Sequence, residues 1–156
     1  MKNHLLILLI GLFGFSINGY AQDKPSAPVL SEKSKETFKV VEKMPRFPGC
    51  ENSSDSEGDK KKCADGKMLQ FIYKHLEYPE EAKKNKVEGT AVVTFIVDRT
   101  GLITEPQLKR DPGSGCGEAA VAVVMQMNDL PERWTPGMQR GQPVSVQYTL
   151  PIKFRL

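Results

Sequence analysis

The last stretch of the chain limits the fold more than any other. Val144, Val146, Tyr148, Leu150, Ile152 and Phe154 alternate with Ser145, Gln147, Thr149, Pro151, Lys153 and Arg155. Apolar residues at period two describe a strand with one face on a core and the other toward water. Pro151 falls on the polar register and lacks the N–H that a ladder needs. The strand is therefore expected at a sheet edge, or with the proline at a bulge, rather than paired along both sides.

The remaining elements are arranged to cover such a strand. Thr90 to Asp98 is rich in β-branched residues and is joined by Arg99-Thr100-Gly101 to a second run, Leu102 to Arg110. The glycine near the turn predicts an antiparallel hairpin. Asp111 to Gly115 has loop chemistry, and Gly117 to Asn128 places Ala120, Val123, Val124 and Met127 on one helical face. An earlier helix is predicted to begin after Asp65 as N-cap, with Met68, Leu69, Phe71, Ile72, His75 and Leu76 on its buried stripe. Tyr78-Pro79 ends it, and Pro79 can open a short helix over Glu80 to Asn85. This α-β-β-α-β order predicts an α+β domain, a three-stranded antiparallel sheet with two helices on one face. Its last edge, guarded only by Pro151, Lys153 and Arg155, is also where a peptide can add as a strand.

The front of the chain reads as an export segment over residues 1–21. Lys2 starts it, Leu5 to Ile17 is apolar, and Gly19-Tyr20-Ala21 is a small-x-small exit with cleavage expected after Ala21. The rival reading is an uncleaved membrane anchor, but the apolar run is shorter than the ~20 residues a span needs. Residues 22–64 read as a flexible linker and a cysteine-containing arm, followed by the domain over 65–156. Gln22 to Thr37 has few apolar residues to bury. Beyond it, Val40, Val41, Met44 and Phe47 with Pro45 and Pro48 suggest an extended arm, whose packing the sequence leaves open. Export would expose the three cysteines to an oxidising compartment. Cys50 and Cys63 flank a polar loop and are the predicted disulfide, removing about 3 kcal/mol of unfolded-chain entropy.

Charge and composition remove several function classes. The net charge is +3, or +2 once Lys2 is lost, and the densest basic run, Lys60 to Lys62, has acids close before it. A nucleic-acid footprint needs basic residues concentrated on one face, so no such partner is expected. His75 is the only histidine beyond residue 21, and it sits on an apolar stripe. A histidine metal site or a Ser-His-Asp relay therefore lacks its parts, and no enzyme activity, metal or cofactor is expected. Asp55, Glu57 and Asp59 surround Gly58 without the order of a calcium loop. Cys116 opens a helix, where the dipole can lower a thiol pKa and support a thiol-redox role in the envelope. Without a C-x-x-C partner the favoured reading is a small buried side chain. Trp134 is read first as a core plug and second as a partner contact.

A set of residues in order also carries a resemblance. It comprises Tyr78-Pro79 with Ala82, Glu88-Gly89, Phe95, Val97, Gly101, Trp134-x-Pro136-Gly137, Gly141-x-Pro143-Val144 and Leu150-Pro151-Ile152-x-Phe154. Through these the chain resembles the C-terminal domain of TonB-family energy transducers over about half its length. The resemblance implies a periplasmic domain that binds the box peptide of outer-membrane transporters alongside its last strand, near the Tyr-Pro segment. Carried over, it nominates Tyr78, Pro79, Val144, Ser145, Val146, Gln147, Tyr148, Thr149, Leu150, Ile152 and Phe154. Glu77 stands where several members have glutamine. Partners on this reading are the transporter, a second copy of the chain, and an inner-membrane proton-driven complex if the segment stays uncleaved as the anchor of a short transducer. Residues 22–64 as a coil reach only about 35 to 40 Å, which favours binding without force transmission.

Overall fold

The computed structural model describes residues 36–51 and 54–156, so the expected export segment and most of the linker lie outside the described residues. The elements are β1 (Thr37–Phe38), α1 (Glu57–His75), α2 (Glu80–Lys84), β2 (Gly89–Val97), β3 (Ile103–Arg110), α3 (Cys116–Gln126), β4 (Gly137–Gln139) and β5 (Gln142–Phe154). A single 3-10 turn, Met127–Asp129, follows α3. The sheet order is β1-β5-β2-β3, with β4 joined to β5 as a hairpin. The α+β class is as expected, and two short strands are added to the expected three.

The central ladder joins the most apolar strand to the most regular one. β2 pairs antiparallel with β5 from Gly89 opposite Phe154 to Val97 opposite Val146. Ala91, Val93, Phe95 and Val97 of β2 and Val146, Leu150, Ile152 and Phe154 of β5 are buried on one face. Helices cover that face through Ala64, Met68 and Ile72 of α1, Ala82 of α2, and Ala120, Val123 and Val124 of α3. Each large apolar side chain so buried contributes about 1.5–3 kcal/mol, which the period-two and helical spacings make available together.

The β2–β3 turn is fixed by Asp98. Its carboxylate accepts the Thr100 N–H at 2.7 Å, the Thr100 hydroxyl at 2.6 Å and the Leu102 N–H at 3.0 Å. Gly101 follows at φ +80°, and a Cβ there would lie 2.0 Å from the Trp134 carbonyl oxygen. Only glycine satisfies both the left-handed backbone and that approach.

Two expectations need correction. The first helix starts at Glu57, not after Asp65, because Ser56 caps it: its hydroxyl oxygen accepts the Asp59 N–H at 3.3 Å. The charged first turns are then held from outside by Arg46 on Glu57 and by a Cys50–Cys63 disulfide with a Cα–Cα distance of 6.1 Å, and within the helix by the i,i+4 pair Lys61–Asp65. The second concerns Leu69, which is 47% exposed because the buried line runs through Ala64, Met68 and Ile72.

The arm is built into the same core. Lys43 and Met138 exchange backbone hydrogen bonds of 3.1 and 2.9 Å, and Arg46 and Thr135 exchange bonds of 3.0 and 2.9 Å. Phe47 is buried, with its ring 5.7 Å from Trp134 and 5.8 Å from Phe71. Arg46 binds Glu51 at 2.6 Å and Glu57 at 2.5 Å, tying the arm to the start of α1.

Candidate functional site

β5 is paired unequally on its two sides. On its inner side β2 occupies Val146 to Phe154. On its outer side β4 takes Gln142–Val144, and β1 lies parallel to Ser145–Val146. From Gln147 to Phe154 no described strand occupies the outer side. Pro151 sits opposite Val92 in the ladder, where a proline fits with its nitrogen turned away from its paired neighbour. Backbone orientation alternates along a strand, so Gln147, Thr149 and Lys153 share that outward direction and offer their N–H groups to the open edge. The opposite sheet edge, β3, is less regular: its pairing with β2 shifts register twice, and it contains Pro106 and a positive φ at Glu105.

α1 runs alongside the open edge. Its early turns meet Gln147–Thr149 across a recess of about 690 Å³, lined also by Lys61, Asp65 and the arm residues Lys39, Lys43 and Met44. Its last turn meets Lys153–Arg155 across a second recess of about 320 Å³, lined by Tyr73, Leu76 and Tyr78. Tyr148 joins the first recess to the core: its ring stacks on Phe95 at 5.5 Å and meets Trp134 edge-on at 5.4 Å. Burial, with Asp65 nearby, pushes the Tyr148 phenol up, so it stands neutral as a hydrogen-bonding group beside Lys61 and Asp65.

The nominated residues divide accordingly. Gln147, Tyr148 and Thr149 line the first recess, and Tyr78 and Phe154 line the second. Tyr78 packs edge-on against Phe154 at 5.5 Å, and its hydroxyl donates to the Val87 carbonyl at 2.6 Å. Pro79 turns elsewhere, to a shallow recess with Glu80, Lys83 and Ala119. Leu150 and Ile152 point into the core, and by the same alternation their main-chain groups face β2, so neither is offered to the open edge. The outer main chain of Val144, Ser145 and Val146 is taken by β4 and β1. Sequence reading missed the α1 and arm residues around the recesses; the Ser56-x-x-Asp59 capping signature was the available signal.

The other singled-out residues lie elsewhere. Cys116 is fully buried, and burial together with Asp111 and Glu118 pushes its thiol up, the reverse of activation by a helix dipole. The His75 ring packs tilted against Phe71 at 4.2 Å, with Nδ1 2.8 Å from the Phe71 carbonyl oxygen. Trp134 is 2% exposed and plugs the core between Phe47, Phe95 and Tyr148. Glu57 and Asp59 lie in the first turn of α1, Glu57 held below the usual carboxylate range by Arg46.

Residues 74–156, more than half of the chain, match the family described as the Gram-negative bacterial TonB protein C-terminal. Two NMR solution structures of the TonB C-terminal domain from Helicobacter pylori are similar. One is 19% identical with a TM-score of 0.47, covering 67% of this chain and 87% of that one. The other is 20% identical with a TM-score of 0.43, covering 57% and 89%. No curated protein matches the sequence.

Proposed function

The chain belongs to the TonB C-terminal family, and we propose that it binds the box peptide of an outer-membrane transporter as an added strand on the outer edge of β5. The observation that carries this reading is the outer side of Gln147 to Phe154, which no strand among the described residues occupies, with a recess at each end and outward N–H groups at Gln147, Thr149 and Lys153. Strand addition draws affinity from main-chain bonds and specificity from pockets beside them, and this edge offers both. The protein acts by binding, in the periplasm, after export through residues 1–21. A thiol-redox role is disfavoured, since Cys116 is buried and its thiolate is opposed by burial and nearby acids.

Affinity for N-terminal peptides of outer-membrane transporters, read by fluorescence anisotropy, tests the reading. Gln147→Pro and Thr149→Pro each remove an outward donor and leave β2 its bonds, whereas a proline at Val146 would damage the fold. Each lost main-chain bond is worth about 1 kcal/mol, and ring clash with the partner strand adds to it, so each variant should bind at least about tenfold more weakly. If both fold with wild-type circular dichroism and bind as tightly as the parent, the edge is not the site.

A further inference from the structure

We propose that β1 is a displaceable strap, a strand supplied by the chain itself that competes with a partner segment for the first part of the β5 edge. This rests on the edge reading above and adds a means of regulating the site. β1 runs parallel to β5, with Thr37 opposite Ser145 and Phe38 opposite Val146. Val146 is also paired with Val97 of β2, so β1 lies on the outer side. The chain thus carries out on itself the strand addition that the edge offers to a partner. After Phe38 it bends at Lys39 and Val40, and Lys39 lines the recess at Gln147–Thr149. A segment pairing along the edge from Phe154 toward Ser145 therefore meets Lys39 and then Phe38. To pair at Ser145 and Val146 it has to lift β1 away.

The strap is lightly held, whereas its root is firm. β1 is two residues long; Thr37 and Lys39 are exposed, Val40 is 83% exposed and Phe38 is half-buried. Little apolar burial therefore stands against the conformational freedom that these residues lose on pairing. From Glu42 onward the arm is fixed. The Glu42 N–H donates to the Gln139 side-chain oxygen at 3.1 Å, its carboxylate accepts the Arg140 N–H at 3.1 Å, and Lys43 exchanges backbone bonds with Met138. Beyond these, Phe47 is buried and Cys50 is bonded to Cys63 of α1. The root stays in place when β1 lifts. A segment tethered so close returns at a high effective concentration that dilution does not change. β1 and its root precede residues 74–156, so the strap is a property of the chain outside the family match.

Weakening the strap tests it. Phe38→Pro removes a main-chain donor from β1 and leaves the root intact. Thr37→Gly/Phe38→Gly serves if proline disturbs the arm, since glycine raises the cost of ordering the strap. Anisotropy gives the affinity of each protein for a synthetic N-terminal peptide of an outer-membrane transporter, long enough to span Ser145–Phe154. A strap closed in about two-thirds to nine-tenths of molecules lowers apparent affinity by the open fraction, so the variants should bind about three- to tenfold tighter than wild type. Amide exchange is the second readout. In wild type the peptide should speed exchange at Phe38 while it slows Thr149 and Lys153. Folded variants that bind no tighter than wild type, or a peptide that leaves Phe38 exchange unchanged or slower, overturn the strap and leave the edge reading standing. A saturating peptide that slows neither Thr149 nor Lys153 in any of the proteins overturns the edge reading, and this inference with it.

Discussion

Replacing Phe47 with alanine asks whether the arm is structural. Phe47 is 6% exposed and packs on Trp134 and Phe71, and through Trp134 it reaches Phe95 and Tyr148. Truncating a buried phenylalanine costs about 3–5 kcal/mol, with each aromatic pair accounting for about 0.5–1.5 of it. The upper part of that range applies when surroundings cannot collapse. Here they are held on both sides, by the Arg46–Thr135 backbone bonds and by the Cys50–Cys63 disulfide. With a urea slope of about 2 kcal/mol per molar, a loss of about 4 kcal/mol lowers the unfolding midpoint by about 2 M. The single tryptophan, Trp134, reports the transition by fluorescence. Val40→Ala is the control: Val40 is 83% exposed, so its change should stay within about 0.5 kcal/mol. A Phe47→Ala midpoint shift below about 0.5 M at unchanged slope would refute the packed arm.

Removing the disulfide with Cys50→Ser/Cys63→Ser should cost about 3 kcal/mol, and only the parent should lose Tm on adding reductant. In the native protein Cys116 should resist thiol reagents until the chain unfolds; rapid labelling would show that it is not buried. Acid should loosen the arm. The Arg46 hydrogen bond holds Glu51, and likewise Glu57, below their ordinary value of 4.5. A depressed folded pKa gives stability that is present above the unfolded value and lost as pH falls through the folded one. Unfolding free energy should therefore decline as pH drops below 4.5, and Arg46→Met should flatten that decline; equal slopes would separate the ion pairs from stability.

How much was legible depended on whether a residue's role was periodic. β5 declared itself because Leu150, Ile152 and Phe154 reach the same core at period two, with Val146 buried in register, and Pro151 marked which way its backbone could face. The Cys50–Cys63 pair was readable from the polar loop it closes. The start of α1 was not, because residues 57–63 bury no apolar stripe; a cap, ion pairs and the disulfide hold them helical. The arm was opaque for a related reason. Lys43 and Arg46 pair through isolated backbone bridges to Met138 and Thr135, contacts that leave no repeat in the sequence. The recesses followed from both: their walls come from the arm and α1, and the exposure of Leu69 and Tyr73 depends on where the helix sits, not on residue type.

Amide hydrogen exchange with and without an N-terminal peptide of an outer-membrane transporter tests the central claim most directly, because it reads the donors themselves. Binding at the proposed edge should slow exchange at Gln147, Thr149 and Lys153, leaving Gln107 and Lys109 on the β3 edge unchanged. Saturated peptide that slows the β3 amides, and leaves those three as fast as in the free protein, would contradict the account.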